Sequence, residues 1–563
     1  MTDWLAAEPT FFDALAQFGE QPAIQMCLTE SLKALLHLPT TESIAETTTA
    51  LNAQLSLHSD SHSEPYHHHK ANIGQISATL FGDVPIVASV TVPSDTITLL
   101  TFTYEAIASA ADACASQISA NGERKLGFIL ARNDLPTFIA YLACLRHRQP
   151  VMLLDANLSE QTLDSLKSTY QPDFIVKENQ IELFSEPVKA IDASLSLLLS
   201  TSGSTGSPKQ VALSAVNLQA NAASICQYLP IESSDIALTT LPFFYSYGLS
   251  IINSHLLSGA CVLLSDTSVV DRQFWQLLEA SNVTSFGGVP YSYDMLIRLG
   301  LTKKALPSLR YFTQAGGKLA AKKVTMLADY AEAHGKSFYV MYGQTEATAR
   351  MAYADLAVIK HKPDSIGQAI PRGQFTLDVN INNEQHHLSC SRAVEASDTE
   401  AKASAPEHIG ELIYTGANVM LGYAHQLADL QCLPKPHCLH TGDLAYADED
   451  GHYFIVGRLS RFIKVFGLRV ALDEVQALLN ANQLDTYVLG KDNQIQVLVT
   501  ESSLSNNASL THGEATVTTA SQLIKWLSLQ LQVHHSVIKV STIAKLPITV
   551  NGKADYATAQ QCF

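Results

Sequence analysis

At 563 residues, the sequence is too long for one core, and a prior of roughly 150 residues per domain predicts several compact units. Hydrophobic residues at 47% and charged residues at 16% exclude an intrinsically disordered chain, while a formal charge of -17 argues against nucleic acid or an anionic membrane as the main partner, since both demand a basic surface. Nine cysteines, an odd number without a CxxC pair, predict buried thiols in a reducing cytosol and not a disulfide framework or a zinc site.

The amino terminus carries acids early and has no basic stretch ahead of an apolar run, so no secretory signal is expected and the predicted location is the cytoplasm. Residues 11–18 have a helical pattern. The stretch near 27–95 has no assignable organisation and reads as an insertion. It holds His58, His62 and the run His67, His68 and His69, a cluster that is either a metal site or, as adjacent histidines in a polar loop lack fixed ligand geometry, a solvated loop. From residue 98 the pattern becomes regular: strand-like TLLTFTY, helix-like EAIASAADACASQI, apolar KLGFILA, a second helical stretch at 137–148, and PVMLLD. Short apolar runs alternating with helical periodicity predict parallel strands with crossover helices.

At residues 197–209, LLLSTSGSTGSPK, an apolar run breaks into a loop of glycine, serine and threonine closed by Pro208 and Lys209. Gly203 and Gly206 let backbone approach a ligand, while Thr201, Ser202, Ser204 and Thr205 offer hydroxyl donors to an anion. Two residues separate the glycines, so this is not a Walker A loop; the alternative is a flexible surface loop. Beyond it, Ser214 is a candidate N-cap, and DIALTTLP, ACVLLSD, VTSFGG, LRYFTQAGG and SFYVMYG continue the strand rhythm. The longest apolar region, 248–264, is interrupted by Ser250, Asn253, Ser254, His255 and Ser258, and predicts no membrane span. The fold class expected is α/β, with a large N-terminal domain of doubly wound sheets. After residue 350, QFTLDVNIN, GELIYTG and HYFIVG predict a β-rich subdomain interrupted by a polar insertion, CSRAVEASDTEAKASAPEH. The boundaries predicted are 1–457 for the N-terminal domain and 458–563 for a small, mobile C-terminal α+β domain.

Four stretches in order resemble the motifs of the adenylate-forming superfamily, which includes acyl-CoA synthetases, peptide-synthetase adenylation domains and firefly-type luciferases. They are the loop at 201–209; Tyr342, Gly343, Gln344, Thr345 and Glu346; a Thr-Gly-Asp turn ending in Asp443, followed by Gly457 and Arg458; and PITVNGK ending in Lys553. The resemblance implies ATP-dependent activation of a carboxylic acid as acyl-AMP with transfer to a thiol, coenzyme A or the phosphopantetheine of an acyl carrier protein. It implies ATP and Mg²⁺ as cofactors. By this resemblance the loop holds the β- and γ-phosphates; Gly316 and Gly317 wrap the adenine, on which Tyr342 stacks; Thr345 touches the α-phosphate; and Glu346 holds Mg²⁺. Asp443 takes the ribose hydroxyls, Arg458 the ribose or phosphates, and Lys553 bridges acid and α-phosphate.

Lys464, Gly467 and Arg469 match a region that enters the site for thiol attack after the small domain rotates, with Ser460 at the hinge position. Three residues depart from the family: Gln210 for glycine, Tyr245 for histidine, and Ser460 for aspartate or lysine. Local alternatives remain for several motif residues: Thr345 as a helix N-cap, Asp443 as a turn former, Arg458 as an exposed junction residue. The acid pocket expected consists of Phe244, Tyr245, Tyr247, Val289 and Ala315, an aromatic run whose alternative is plain core. No aspartate lies between Pro242 and His255 to pair with an α-amine, which favours a carboxylic acid without one over an amino acid. A catalytically impaired, nucleotide-binding regulatory homologue is the further alternative. Only ADYATAQQCF follows Lys553, so the acceptor expected is free coenzyme A or a separate carrier protein.

Overall fold

In a computed structural model, the residues described are 10–27, 88–94, 97–184, 189–200, 209–379, 409–465, 468–491, 493–505, 511–512, 515–531, 533–549 and 553–563. The histidine cluster, loop residues 201–208, the polar insertion, Gly467, Asn551 and Gly552 lie outside them.

The regular pattern from residue 98 becomes two stacked sheets. In the first, of seven strands, Gly127–Ala131, Val151–Asp155, Phe174–Lys177 and Leu195–Ser200 run parallel, and antiparallel strands flank them. In the second, of ten strands, Ile236–Leu238, Cys261–Leu264, Ser285–Gly288, Tyr311–Gln314 and Ser337–Tyr342 form the parallel centre, joined by Pro22–Cys27. The central strands read as unbroken apolar runs because both faces are covered: all five residues of Gly127–Ala131 are buried. One core cluster contains residues of both sheets, Ile129, Leu153 and Leu199 with Ile24, Phe102 and Val262, so helices lie between the sheets and serve both. This explains the apolar region 248–264: helix Ser246–Leu257 is buried on nearly every side, and Cys261–Leu264 is a central strand. Among the described residues no helix is long and apolar enough to cross a membrane.

Several local expectations hold in detail. Ser214 caps helix Ala215–Tyr228, accepting from Asn217 N at 3.0 Å in a full capping box. The β-rich subdomain is a four-stranded antiparallel sheet of Gln374–Asp378, Gly410–Thr415, Leu439–Ala447 and Tyr453–Arg458. A three-stranded sheet, Thr486–Lys491, Gln494–Thr500 and Ile538–Ile543, packs with helices Leu472–Ala481 and Ala520–Leu531 on a core of its own.

Two expectations fail. Residues 11–18 do not form an α-helix: a turn, in which Asp13 accepts from Thr10 N at 2.7 Å, leads into the short 3-10 helix Leu15–Phe18. Eight residues are too few to offset helix nucleation, and the burial of Phe11, Phe12 and Leu15 selects the tighter form. Nor are all cysteines buried. Cys114, Cys144 and Cys261 are, but Cys432 and Cys562 are exposed; every described cysteine that is assigned is free.

Candidate functional site

The carboxyl ends of the second sheet's strands carry the candidate residues, as expected of an open parallel sheet. Strand Ser337–Tyr342 delivers the Tyr342 motif. Immediately after it, a Cβ on Gly343 would fall 1.7 Å from Ala349 O, so only glycine permits the chain to fold back on itself here. Thr345–Ala347 then form a single 3-10 turn. Its N-cap is Gln344, without a side-chain cap bond, so Thr345 is not the N-cap of a helix. Its hydroxyl lies 3.1 Å from Ser246 Oγ.

Asp443 lies across from this turn, on strand Leu439–Ala447, and is 2% exposed. Its Oδ2 accepts from Tyr342 OH at 2.5 Å and from Gln344 Nε2 at 3.1 Å, and its Oδ1 from Arg458 Nε at 2.8 Å. Gln344 also donates to Thr441 O at 2.9 Å. Three of about four acceptor positions on this carboxylate are therefore taken. Burial, reinforced by the Asp443 charge, pushes the Tyr342 phenol well above its ordinary pKa, so it remains a donor; the same carboxylate raises the Arg458 pKa. Arg458 keeps an exposed side chain, as the junction reading expected, but is also the partner of a buried aspartate.

Glu346 is held by a residue that no motif indicated. Tyr423 OH donates to Glu346 Oε1 at 2.9 Å, and Lys209 Nζ lies 3.8 Å from the centroid of the Tyr423 ring. One tyrosine therefore joins the end of the loop at 201–209 to the acid. Tyr423 reaches this place by pairing with Val211 across two strands, a long-range contact with no local sequence signal. The loop itself lies outside the described residues except Lys209, but its ends are visible: Ser200 pairs with Gln210 in antiparallel register, and Ser200 Oγ donates to Gln210 Oε1 at 3.1 Å. Gln210 is fully buried within this pairing, so its departure from glycine is accommodated in a strand.

The pocket residues divide. Tyr245, Tyr247, Val289 and Ala315 share one apolar cluster, whereas Phe244 packs with Phe243 on the core between the sheets. Gly316, at φ +83°, closes this cluster: a Cβ there would lie 2.5 Å from Tyr245 OH and 3.6 Å from Lys553 Cε. A Cβ on Gly317 would meet Pro290 at 3.2 Å.

Lys553 enters from the C-terminal region, where Thr549 N donates to Lys553 O at 2.8 Å. Its ammonium stands 5.0 Å from the Tyr245 ring centroid and makes no hydrogen bond to a described residue. Burial lowers its pKa, the Arg458 charge adds to that, and Glu346 opposes it. Lys464 is elsewhere, paired with Arg469 in the hairpin Phe462–Val465 and Leu468–Ala471. The assembled site sets three cations, Lys209, Arg458 and Lys553, and two carboxylates, Glu346 and Asp443, beside an aromatic wall, an arrangement suited to bringing two anions together.

Comparison with known proteins finds likenesses of sequence and of fold. The family model described as "AMP-binding enzyme" matches residues 178–424. A probable CoA ligase of Humulus lupulus is 29% identical over 290 residues, covering 51% of either chain. The D-alanine–D-alanyl carrier protein ligase of Bacillus licheniformis is 27% identical over 347 residues, 59% of this chain and 64% of that one. The chain thus spans only about half to two thirds of the length of these curated relatives. Among solved structures, the o-succinylbenzoate CoA synthetase of Bacillus subtilis, in complex with its acyl-adenylate intermediate, matches with a TM-score of 0.60 at 20% identity, covering 81% of this chain and 92% of that one. The order of the motifs, the site they build and these likenesses point one way: residues 178–424 match the AMP-binding enzyme family, and the chain is similar to adenylate-forming ligases.

Proposed function

We propose that the protein joins a carboxylic acid to a thiol in two steps. In the first, a carboxylate oxygen attacks the α-phosphorus of ATP, the bond to the β-phosphate oxygen breaks, and pyrophosphate leaves. In the second, a thiol sulfur attacks the acyl carbon and AMP departs with the bonding electron pair. The observation that carries this reading is the position of Lys553, a cation without a hydrogen-bond partner among the described residues, at the Tyr245 ring and within electrostatic reach of Arg458 and Glu346. Such a cation stabilises charge that develops between acid and phosphate.

The other residues take supporting roles. Asp443 receives the ribose; with one acceptor position left, a second hydroxyl takes the place of one of its present donors. Tyr342 faces the adenine with Gly316 and Gly317 beside it. Thr345 reaches the α-phosphate, and Lys209 with residues 201–206 the outer phosphates. The donor set fits a hard cation held by one carboxylate and substrate phosphates, since Tyr423 occupies only one Glu346 oxygen. Mg²⁺ held there by Glu346 would neutralise phosphate charge. The Bacillus subtilis synthetase has also been solved with ATP and magnesium ion.

The relatives include ligases for coenzyme A and for a carrier protein, so either acceptor is compatible with the fold. An amino-acid substrate is disfavoured, because the apolar cluster at Tyr245 and Tyr247 contains no carboxylate and lies against a cation, Arg350, that repels an ammonium. The test is pyrophosphate release from ATP, Mg²⁺ and a panel of carboxylic acids, then thioester formation with coenzyme A or a carrier protein. ATP binding without pyrophosphate release for any acid would favour the regulatory homologue instead.

A further inference from the structure

Among the described residues Arg350 is the largest fully buried side chain, and the roles above use it only as a charge that disfavours an ammonium. Its Nε donates to Ser250 Oγ at 3.0 Å, its Nη1 meets Met341 Sδ and stands 3.5 Å from Tyr228 OH, and its Cζ lies 4.5 Å from the Tyr247 ring centroid. All of these partners are uncharged. The remaining nitrogen, Nη2, is buried with no hydrogen-bond partner among the described residues. A guanidinium removed from water without an anion costs several kcal/mol, and each buried polar atom left unpaired calls for an explanation.

The location supplies one. Tyr247 and Met341 belong to the same cluster as Tyr245, Val289 and Ala315, the wall beside Lys553. Lys553 stands over the Tyr245 ring at 5.0 Å, Arg350 over the Tyr247 ring at 4.5 Å, and the two rings meet edge to face with centroids 6.2 Å apart. Two cations therefore bracket one pair of tyrosines. The charge of Arg350 extends to Tyr245, where it opposes the upward push of burial on that phenol. Its other contacts, a thioether and a phenol, are weak acceptors that a carboxylate displaces readily, and the planar guanidinium matches carboxylate geometry.

We infer that Arg350 receives a second carboxylate at the far end of the substrate, so that the acid this site prefers is a dicarboxylic acid activated at the end nearer Lys553. The inference rests on the proposed role of Lys553 and adds to it the class of acid. Arg350 is then a specificity-determining binding residue. Its backbone place is secured separately, because Arg350 O accepts from Asn221 Nδ2 and from Asn418 Nδ2, both at 3.0 Å, so its side chain can be changed without releasing those contacts.

The experiment measures pyrophosphate release by the full chain on matched pairs: glutarate against valerate, adipate against hexanoate, phthalate against benzoate. In at least one pair the diacid should exceed the monoacid in kcat/KM by about a hundredfold or more, as for a site with a polar group that the poorer substrate leaves unpaired. Arg350→Met, which removes charge and keeps bulk, should raise the diacid KM until the preference is lost, and Arg350→Lys should restore part of it. A monoacid equal to or better than its diacid in every pair overturns the inference, as does an Arg350→Met protein that keeps the preference. Should that variant not fold, the comparison of pairs on the unaltered protein decides alone. Silence with all six acids is a different failure, since it removes the adenylation reading and this inference together.

Discussion

Asp443 and Lys553 face the same site and are held in opposite ways. Asp443 is clamped by Tyr342, Gln344 and Arg458, with its backbone N donating to Thr441 Oγ1 at 3.0 Å, so the carboxylate is fixed before any ligand arrives. Lys553 comes from the C-terminal region and meets the site through a ring contact at 5.0 Å. The difference teaches that the side proposed to take the nucleotide is preorganised by hydrogen bonds, while the cation proposed to serve the reacting atoms is added from the C-terminal region and is loosely tied. A desolvated cation–aromatic contact contributes about 2 kcal/mol, a single tie against the three hydrogen bonds that clamp Asp443.

The contrast is broken most directly at Lys553. Lys553→Ala should lower adenylation by about 10³-fold, read by ATP–pyrophosphate exchange, while consumption of a supplied acyl adenylate survives. Intact exchange in this variant would falsify the proposed role. Lys464→Ala should show the reverse asymmetry, with exchange near normal and thioester output down by about 10²-fold, as for a lost positioning group. Equal losses in both half-reactions would instead mean that Lys464 supports the fold of its hairpin.

On the clamped side, Asp443→Asn removes the charge that Arg458 pairs with and forces an amide among three donors. ATP affinity should fall, and unfolding stability by about 1–3 kcal/mol, measured by denaturant titration. Unchanged ATP binding would show that Asp443 does no more than brace Tyr342. Gly316→Ala places a methyl 2.5 Å from Tyr245 OH at a φ of +83°, and should lower kcat/KM for the acid by about tenfold. Adding Tyr245→Phe should recover part of that loss by removing the clashing oxygen; no recovery would assign the defect to backbone strain alone.

The smallest effect is one of pH. Burial and the Arg458 charge lower the Lys553 pKa, so the useful protonated form is lost below the pH at which a free lysine deprotonates. The alkaline limb of kcat/KM for adenylation, which reports the free enzyme, should therefore fall early, and Lys553→Arg should move it upward. For stability the sign is the opposite of a favourable ion pair. A depressed lysine pKa destabilises the fold while the group stays charged, and that penalty is relieved as pH rises from the folded-state pKa toward the unfolded value. An alkaline limb at the position of an ordinary lysine would show that Lys553 is not buried as it enters catalysis.

Much of this architecture was legible in the chain. The apolar runs at 127–131 and 151–155 become central strands because a strand covered on both faces is predominantly apolar. Ser214 caps its helix because its hydroxyl needs only a donor three residues on. Residues 11–18 were misread because a hydrophobic pattern over so few residues does not distinguish an α-helix from a turn pressed onto a core. Within the site, Tyr342, Gln344, Asp443, Arg458 and Lys553 were recognisable as motif residues, but their partners were not.

The sequence by itself determined the alternation of strand and helix, the order of the motifs and hence the resemblance to adenylate-forming enzymes, since these depend on neighbours a few positions apart. Tertiary structure alone decided who meets whom. Tyr342 finds Asp443 across 101 residues, Glu346 finds Tyr423 across 77, and Arg350 finds Ser250 across 100. These meetings are set by sheet order and strand register, which no local pattern encodes, and on them depend how much of Asp443 is left for a ligand and that Arg350 is buried without an anion among the described residues.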